Sequence, residues 1–414
     1  MRVGGGLLGR FGHERRAFGI VVSLALLIKL LEFQGWLAPT EGRIFDSAQG
    51  VRRGTAAQAR NDVAVVLVDD EDYRNCFQSQ SPLNPDRVMA LVREFGMGSA
   101  VVGVDIFTEG VEYGKHRSEG GLKAVWAAKA NDPVAMTADF FQWLMGHEDH
   151  FSVTAGKVLG EPAELESPAR LVTWGIPLYP RDEDLRVRRF PREVTVRDSV
   201  YQAKEPVKRA SWAKQIADRS GLRVPERPSG WAKWLVGHDE GGGEVMISFD
   251  RPDPVKRRVS EFFSCSPKAF VSKGTAAELV ASHKIILIGG TFGGLDEYET
   301  PVGRKPGVVI SAAALQSEID NRVIHEIPRL ATFIMDIGFG WLLILLGIVF
   351  PPRKDAVRAL FRRSAALILV LIVLSWFLLG AGYVWFSWIV VAAGTLLGLL
   401  VDIWRMNPQV KHEG

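Results

Sequence analysis

The chain has 414 residues, with 50 Lys and Arg against 47 Asp and Glu, a formal net charge of +3, and 47% hydrophobic residues. Net charge so close to neutral says little by itself, and nothing in the sequence suggests a nucleic-acid surface, so no nucleic-acid partner is expected. The averages conceal a division, because apolar blocks at both ends bracket a long water-soluble stretch.

Residues 17–37 form the first apolar block, behind a basic segment, residues 1–16, that carries Arg2, Arg10, Arg15 and Arg16. This is the pattern of a first transmembrane helix with a cytoplasmic amino terminus. A cleavable signal peptide has a similar start, but no small-x-small site closely follows the apolar run, which favours an uncleaved anchor. Lys29 and Glu32 dilute its outer end, where long side chains can snorkel to the interface.

Residues 38–329 read as an exported domain, ample for a sizeable core. Short β-branched runs recur at Val63 to Val68, Ala100 to Val104, Leu171 to Thr173, Val245 to Phe249 and Lys284 to Ile288. Continuous apolar runs of this length fit strands buried on both faces. Helical spacing alternates with them, over Asp86 to Phe95 and Ser311 to Ile319. The expected fold is α/β, a largely parallel mixed sheet with flanking helices, joined to four transmembrane α-helices.

Chemistry-bearing residues follow the strands: Asp69 and Asp70 after the first, Asp105 after the second, and Thr291 and Asp296 after the last. If those strands are parallel neighbours, the acidic groups share the crevice beyond their carboxyl ends, where ligands bind in open sheets. A plainer alternative is that Asp69 caps a helix and the acidic run is solvated. The glycines at 289, 290, 293 and 294 match neither GxGxxG nor a Gly-Lys-Ser/Thr loop, so they read as a tight turn rather than a nucleotide site. Arg186, Arg188 and Arg189 alternate with apolar residues as on a strand with one solvated face; the alternative is an Arg fork for an anion. No nucleophile elbow, HExxH or zinc spacing occurs, so neither catalysis, a cofactor nor a bound metal is expected. Cys76 and Cys265 both fall in the exported region, leaving open a disulfide or two unpaired buried thiols.

Residues 330–350 read as the second span, with Asp336 inside it, where a carboxylate suggests a signalling role unless it lies near the outer interface. A basic loop, residues 351–363, follows. The stretch from Ser364 to Val401 is about 57 Å of helix at ~1.5 Å per residue, nearly twice the ~30 Å hydrocarbon core. Gly380-Ala381-Gly382 therefore divides it into spans at 364–380 and 383–404, with Trp385 and Trp388 in an interfacial belt. Residues 405–414 form a short cytoplasmic tail. Gly338, Gly340, Gly394 and Gly398 offer close helix approach and hence a homodimer, and the basic residues at the membrane faces suit anionic lipid.

Several segments resemble the CHASE2 family, extracytoplasmic sensory domains of bacterial signalling receptors. They are VAVVLVDDEDY at Val63 to Tyr73, VVGVDIF at Val101 to Phe107, WGIPLYPRDEDLRVRRFP at Trp174 to Pro191, KIILIGGTFGGLDEYETPVG at Lys284 to Gly303, and PGVVISAAALQ at Pro306 to Gln316. One span before the sensor and three after it also look like that family. Asp69, Asp70, Asp105, Arg186 and Asp296 match family positions, while Leu185 stands where a turn glycine is usual and Ser311 where His is common. The resemblance implies a sensor in the inner membrane of a bacterium, with both termini cytoplasmic. About ten residues after Trp404 are too few for an output enzyme, so the cue would pass to a separate cytoplasmic or membrane protein. The alternatives are an accessory subunit of an envelope complex and, less favoured, an exported enzyme.

Overall fold

A computed structural model describes residues 36–55, 62–96, 100–106, 124–127, 132–134, 152–155, 173–198, 207–222, 244–349 and 356–386, apart from 82, 176, 183 and 295, with isolated positions at 19–31, 388 and 392. The expected cytoplasmic ends, most of the fourth span, and Gly394 and Gly398 lie outside them.

Six strands make the central sheet: β1 Val63–Val68, β2 Val101–Asp105, β3 Ala124–Ala127, β4 Thr173–Gly175, β7 Val255–Arg258 and β8 Ile285–Gly290. Their order is β7-β1-β8-β2-β3-β4, and every pairing is parallel. Apolar runs on β1 and β8 follow from burial on both sides. Ala64, Val66 and Val68 pack into one cluster with α2 Asp70–Phe77, α3 Pro85–Gly96, α5 Val259–Phe262 and α6 Ala276–Ser282. Val63 and Val65 point to the opposite cluster, with α4 Trp212–Ser220 and α7 Gly307–Ile319. This three-layer arrangement satisfies the strand hydrogen bonds while removing both faces from water.

Local signals account for the helices. Pro85 supplies a preset φ at the start of α3, Asn84 Oδ1 accepts from Arg87 N–H, and Asp86 lies in the first turn. Val88, Leu91, Val92 and Phe95 then face the core together.

Two elements depart from expectation. Val245 to Phe249 is not a core strand: β6 Glu244–Met246 pairs antiparallel with β5 Arg189–Pro191, outside the main sheet, and the chain turns at Phe249 and Asp250. The sheet edge is instead β7, Val-Lys-Arg-Arg, whose exposed charges mask it from an apolar search and suit an unpaired edge. A separate sheet joins 132–134, 152–155, 193–198 and 207–210.

Beyond the sheet, α1 Ala38–Thr55 precedes β1, and α8 Arg329–Val349 and α9 Ala356–Gly382 follow the domain. Among the described residues one helix, Phe361–Gly382, is long and apolar enough to cross a membrane. It ends where Tyr383 adopts a left-handed φ of 51°, just past the predicted glycine break. Cys76 and Cys265 form a disulfide across 189 positions, tying α2 to the hairpin after α5.

Candidate functional site

Because β1, β8 and β2 are parallel neighbours, Asp69, Thr291 and Asp105 do lie at one edge of the sheet, with Asp105 opposite Gly289 in register. Their side chains divide between the two layers. Asp69 accepts from the Glu71 and Asp72 N–H groups, capping α2, and pairs with Arg258 at 2.7 Å. Asp72, buried, accepts from the Val259 and Ser260 N–H groups at 3.0 and 3.3 Å. Burial, together with the charge of Asp69, holds the Asp72 carboxyl above its ordinary range despite those bonds. Asp70 accepts from Gly293 N–H at 2.8 Å, and Thr291 N–H donates to the Val68 carbonyl. The glycine segment is thus a turn anchored to α2, as the plainer reading held.

On the opposite layer Asp105 and Asp296 act on the same pair of tyrosines. Tyr179 donates its hydroxyl to Ser311 Oγ at 2.8 Å. Burial pushes Tyr179 well above the ordinary phenol range, and the negative charges of Asp105 and Asp296 add to that rise. Tyr298 is pushed up to about 12, by burial first and then by the charge of Asp296. Arg181 lies over the Tyr298 ring, 4.9 Å from its centroid. Asp296 is held by backbone, its carbonyl accepting from Gly307 N–H at 2.8 Å. A Cβ on Gly307 would meet the Asp296 carboxylate at 2.5 Å, so the bare backbone at the start of α7 is what admits the acid.

The acidic edge therefore contains Asp105 and Asp296 with Tyr179, Tyr298, Ser311 and Arg181. Sequence reading named only the two acids. Tyr179 and Arg181 lie inside the segment from Trp174 to Pro191 that resembles the family, but nothing local to them marks them as site residues; Ser311 was visible only as a departure from a family pattern. Among the described residues no group of three or more His, Cys, Asp or Glu side chains is arranged to hold a metal ion.

Arg186 belongs elsewhere. It pairs with Asp46 on α1, and the neighbouring Arg188 donates to Asp46 at 2.8 Å, Asp182 at 2.9 Å and Asp184 at 2.7 Å. Arg188 is 1% exposed, which corrects the expectation of a solvated arginine face. Burial disfavours its charge, but the bonds to Asp184, Asp46 and Asp182 outweigh that and raise its pKa. A Cβ on Gly42 would lie 2.8 Å from this guanidinium, so α1 approaches it through a bare helical turn.

This network is one part of a junction with the apolar helices. Arg189 grips Glu326 through two bonds of 2.7 and 2.9 Å. Glu326 lies on β9 His325–Glu326, which pairs in parallel with β10 Val384–Trp385, directly after α9. Phe45 of α1 meets Trp385 edge-on at 5.1 Å, in a cluster with Met246, Ile324 and Leu379. Trp385 is 6% exposed, buried against the domain rather than standing in an interfacial belt; Trp388 packs beside a second cluster formed with α8 and α9. Arg52 donates to the Leu379 carbonyl, pairs with Asp250 at 3.0 Å and covers the Tyr383 ring. Lys29 also departs from expectation. It does not snorkel: 2% exposed, it donates to Thr332 Oγ1 at 2.8 Å and lies 4.0 Å from Asp336.

The CHASE2 domain family matches residues 21–350 of the chain. No curated protein and no solved structure matches it.

Proposed function

The chain belongs to the CHASE2 family, whose members are extracytoplasmic sensory domains, and we propose that it is a membrane-anchored sensor that reads a cue outside the cell and passes it to a separate output protein. In this reading residues 17–37, 330–350, 364–380 and 383–404 cross the inner membrane of a bacterium, with both termini inside. The exposed apolar side chains of Leu369, Val370, Val373 and Phe377 on α9 support a lipid-facing helix. The role is recognition and transmission rather than catalysis.

The observation that carries the reading is the junction. The segments leaving the first, entering the second and leaving the third apolar stretch meet the folded domain at one place, through Asp46, Glu326 and Trp385. A ligand changes the output only as far as it favours one arrangement of that junction over another. The acidic edge, with Asp105, Asp296, Thr291 and the Asp69–Asp70 turn, is the proposed recognition surface. Arg186 belongs to the transmitting part, and Asp336 to its continuation between the first two spans.

The test uses the full chain in nanodiscs, screened for thermal stabilisation by periplasmic metabolites, with capture of partners from coexpressed neighbouring reading frames. The reading requires a ligand that changes partner capture, with Asp296→Asn weakening the ligand and Arg189→Gln preserving binding while blunting the response. Constant capture across every ligand and in Arg189→Gln would instead make the chain an accessory subunit.

A further inference from the structure

A cleft of ≈ 360 Å³ opens beside the Cys76–Cys265 disulfide, lined by both cysteines and by residues of α2, α5 and the hairpin of Phe263–Cys265 with Phe270–Ser272. That volume lies within the roughly 300–1,000 Å³ of small-molecule sites, so a reagent of several heavy atoms can enter. The two sulfurs are unequally placed. Cys76 is fully buried on α2, whereas Cys265, on the hairpin, is partly exposed.

The surroundings suit the dithiol as well as the disulfide. Cys76 Sγ lies 3.8 Å from Asp72 Oδ1, and Cys265 Sγ lies 3.6 Å from the Phe263 carbonyl oxygen. A disulfide has no S–H to donate across either distance, but once the bridge is reduced each thiol finds an acceptor already within reach. Nor does the hairpin depend on the bridge alone. Arg87 of α3 donates to the Ser266 and Pro267 carbonyls, each at 3.2 Å, and Gln78 donates to the Pro267 carbonyl at 2.7 Å. The Phe263 and Phe270 rings stack at 4.2 Å, with the Phe77 ring of α2 5.9 Å from that of Phe270. A disulfide that solvent reaches, in a fold with other bonds to hold it, is of the labile kind rather than the purely structural one.

We propose that Cys76 and Cys265 are a reversible redox pair, opened and closed by thiol–disulfide exchange with a dithiol that enters this cleft. A thiolate of the dithiol attacks Cys265 Sγ, the S–S bond breaks, and its electron pair leaves on Cys76 Sγ, which takes a proton from water. The second thiolate then attacks the mixed disulfide and releases Cys265, which is protonated in turn. The dithiol is oxidised to its own disulfide and the protein gains two thiols; a disulfide oxidant reverses the sequence. This site is distinct from the acidic edge and measurable whether or not that edge binds a cue.

The full chain in nanodiscs at pH 7 is treated with dithiothreitol, quenched with iodoacetamide at intervals and weighed by mass spectrometry. The bridge opens in the folded protein, so the rate of reduction rises in proportion to dithiothreitol. Leu315→Ala, which weakens the apolar layer on the far face of the sheet, changes that rate less than twofold. The reduced chain keeps a cooperative melting transition, oxidised glutathione restores the bridge, and before it does so Cys265 is alkylated at least tenfold faster than Cys76. A rate that levels off with reductant, or that rises more than twofold in Leu315→Ala, means that the sulfurs are reached only by unfolding and overturns the proposal. Loss of the melting transition on reduction, or equal alkylation of the two cysteines, overturns it as well.

Discussion

Replacing Arg188 with Met tests the junction at its most buried charge. Arg188 is 1% exposed and donates to three carboxylates, of which Asp46 is 8% exposed and Asp182 and Asp184 about a fifth exposed. Removing one partner of a buried ion pair costs about 3–5 kcal/mol, because the remaining charge is stranded. Two of the three carboxylates keep some contact with water, so the lower end applies, about 3 kcal/mol. For a domain of this size that is a fall of roughly 6–12 °C in melting temperature, measured on the full chain in nanodiscs at pH 7. The pH dependence supplies a second, independent check. Arg188 holds the Asp184 carboxyl below its ordinary range. The native network therefore contributes stability above the unfolded carboxylate pKa of about 3.9, and that contribution is lost as pH falls through the depressed value. In Arg188→Met, Asp46 keeps Arg186 and Asp182 keeps Arg189, but Asp184 loses its guanidinium. The Asp184 pKa then rises, so protonation relieves the variant as pH falls, and the gap to the parent chain narrows between pH 7 and 4. Adding Asp184→Asn to Arg188→Met returns part of the loss, with a coupling of about 0.5–3 kcal/mol. A variant melting within about 2 °C of the parent at pH 7, or a gap constant from pH 7 to 4, would refute the reasoning.

Leu185 occupies the left-handed region at φ 65° with 65% of its surface exposed, so it bears strain and gains little from burial. Leu185→Gly is expected to stabilise by about 0.5–1 kcal/mol, seen as a small rise in melting temperature; a decrease would show that the side chain has a contact that matters. Reduction of Cys76–Cys265 removes a crosslink spanning 189 positions and is expected to cost about 2–5 kcal/mol. Mass shift on alkylation without reductant checks the bond itself, and two alkylated cysteines would disprove it. Lys29→Met and Asp336→Asn are each expected to destabilise the α8 packing, and the double variant to lose less than their sum by about 0.5–3 kcal/mol, read from unfolding in bicelles. Strict additivity would show that the two side chains do not act as a pair.

The central strands were legible because burial on both faces leaves an unbroken apolar run: β1 and β8 appear in sequence much as they do in the fold. Asp69 was legible as a cap for the same local reason, since a capping bond reaches only two or three residues along the chain. The polar edge strand β7 was not, because an edge tolerates Lys and Arg and so loses the apolar signature. Nor was the role of Arg188. Its alternation with Val187 and Phe190 mimics a strand with a wet face, and its partner Asp46 lies 142 positions away. Separation along the chain likewise hid the pairing of β9 with β10 and turned Trp385 from an interfacial residue into a buried one. Local periodicity reports which face an element presents, but not what covers it.

The division of labour between apolar and ionic contacts bears on the proposed transmission. Two apolar clusters, one on each face of the sheet, account for the cohesion of the sensor body. Charge pairs occur across the body, and several of them hold the place where it meets the apolar helices: Arg186 and Arg188 with Asp46, Arg189 with Glu326, Arg52 with Asp250. Buried ion pairs add little net stability over well-packed apolar side chains of the same volume. What they supply is directionality, because a guanidinium held by fixed carboxylates is satisfied in few geometries, whereas an apolar contact tolerates sliding. A junction built this way holds α1 and β9 in one register against the body. In the proposed sensor, a shift of a few ångströms breaks several bonds together and gives the helices a discrete change of arrangement rather than a graded one.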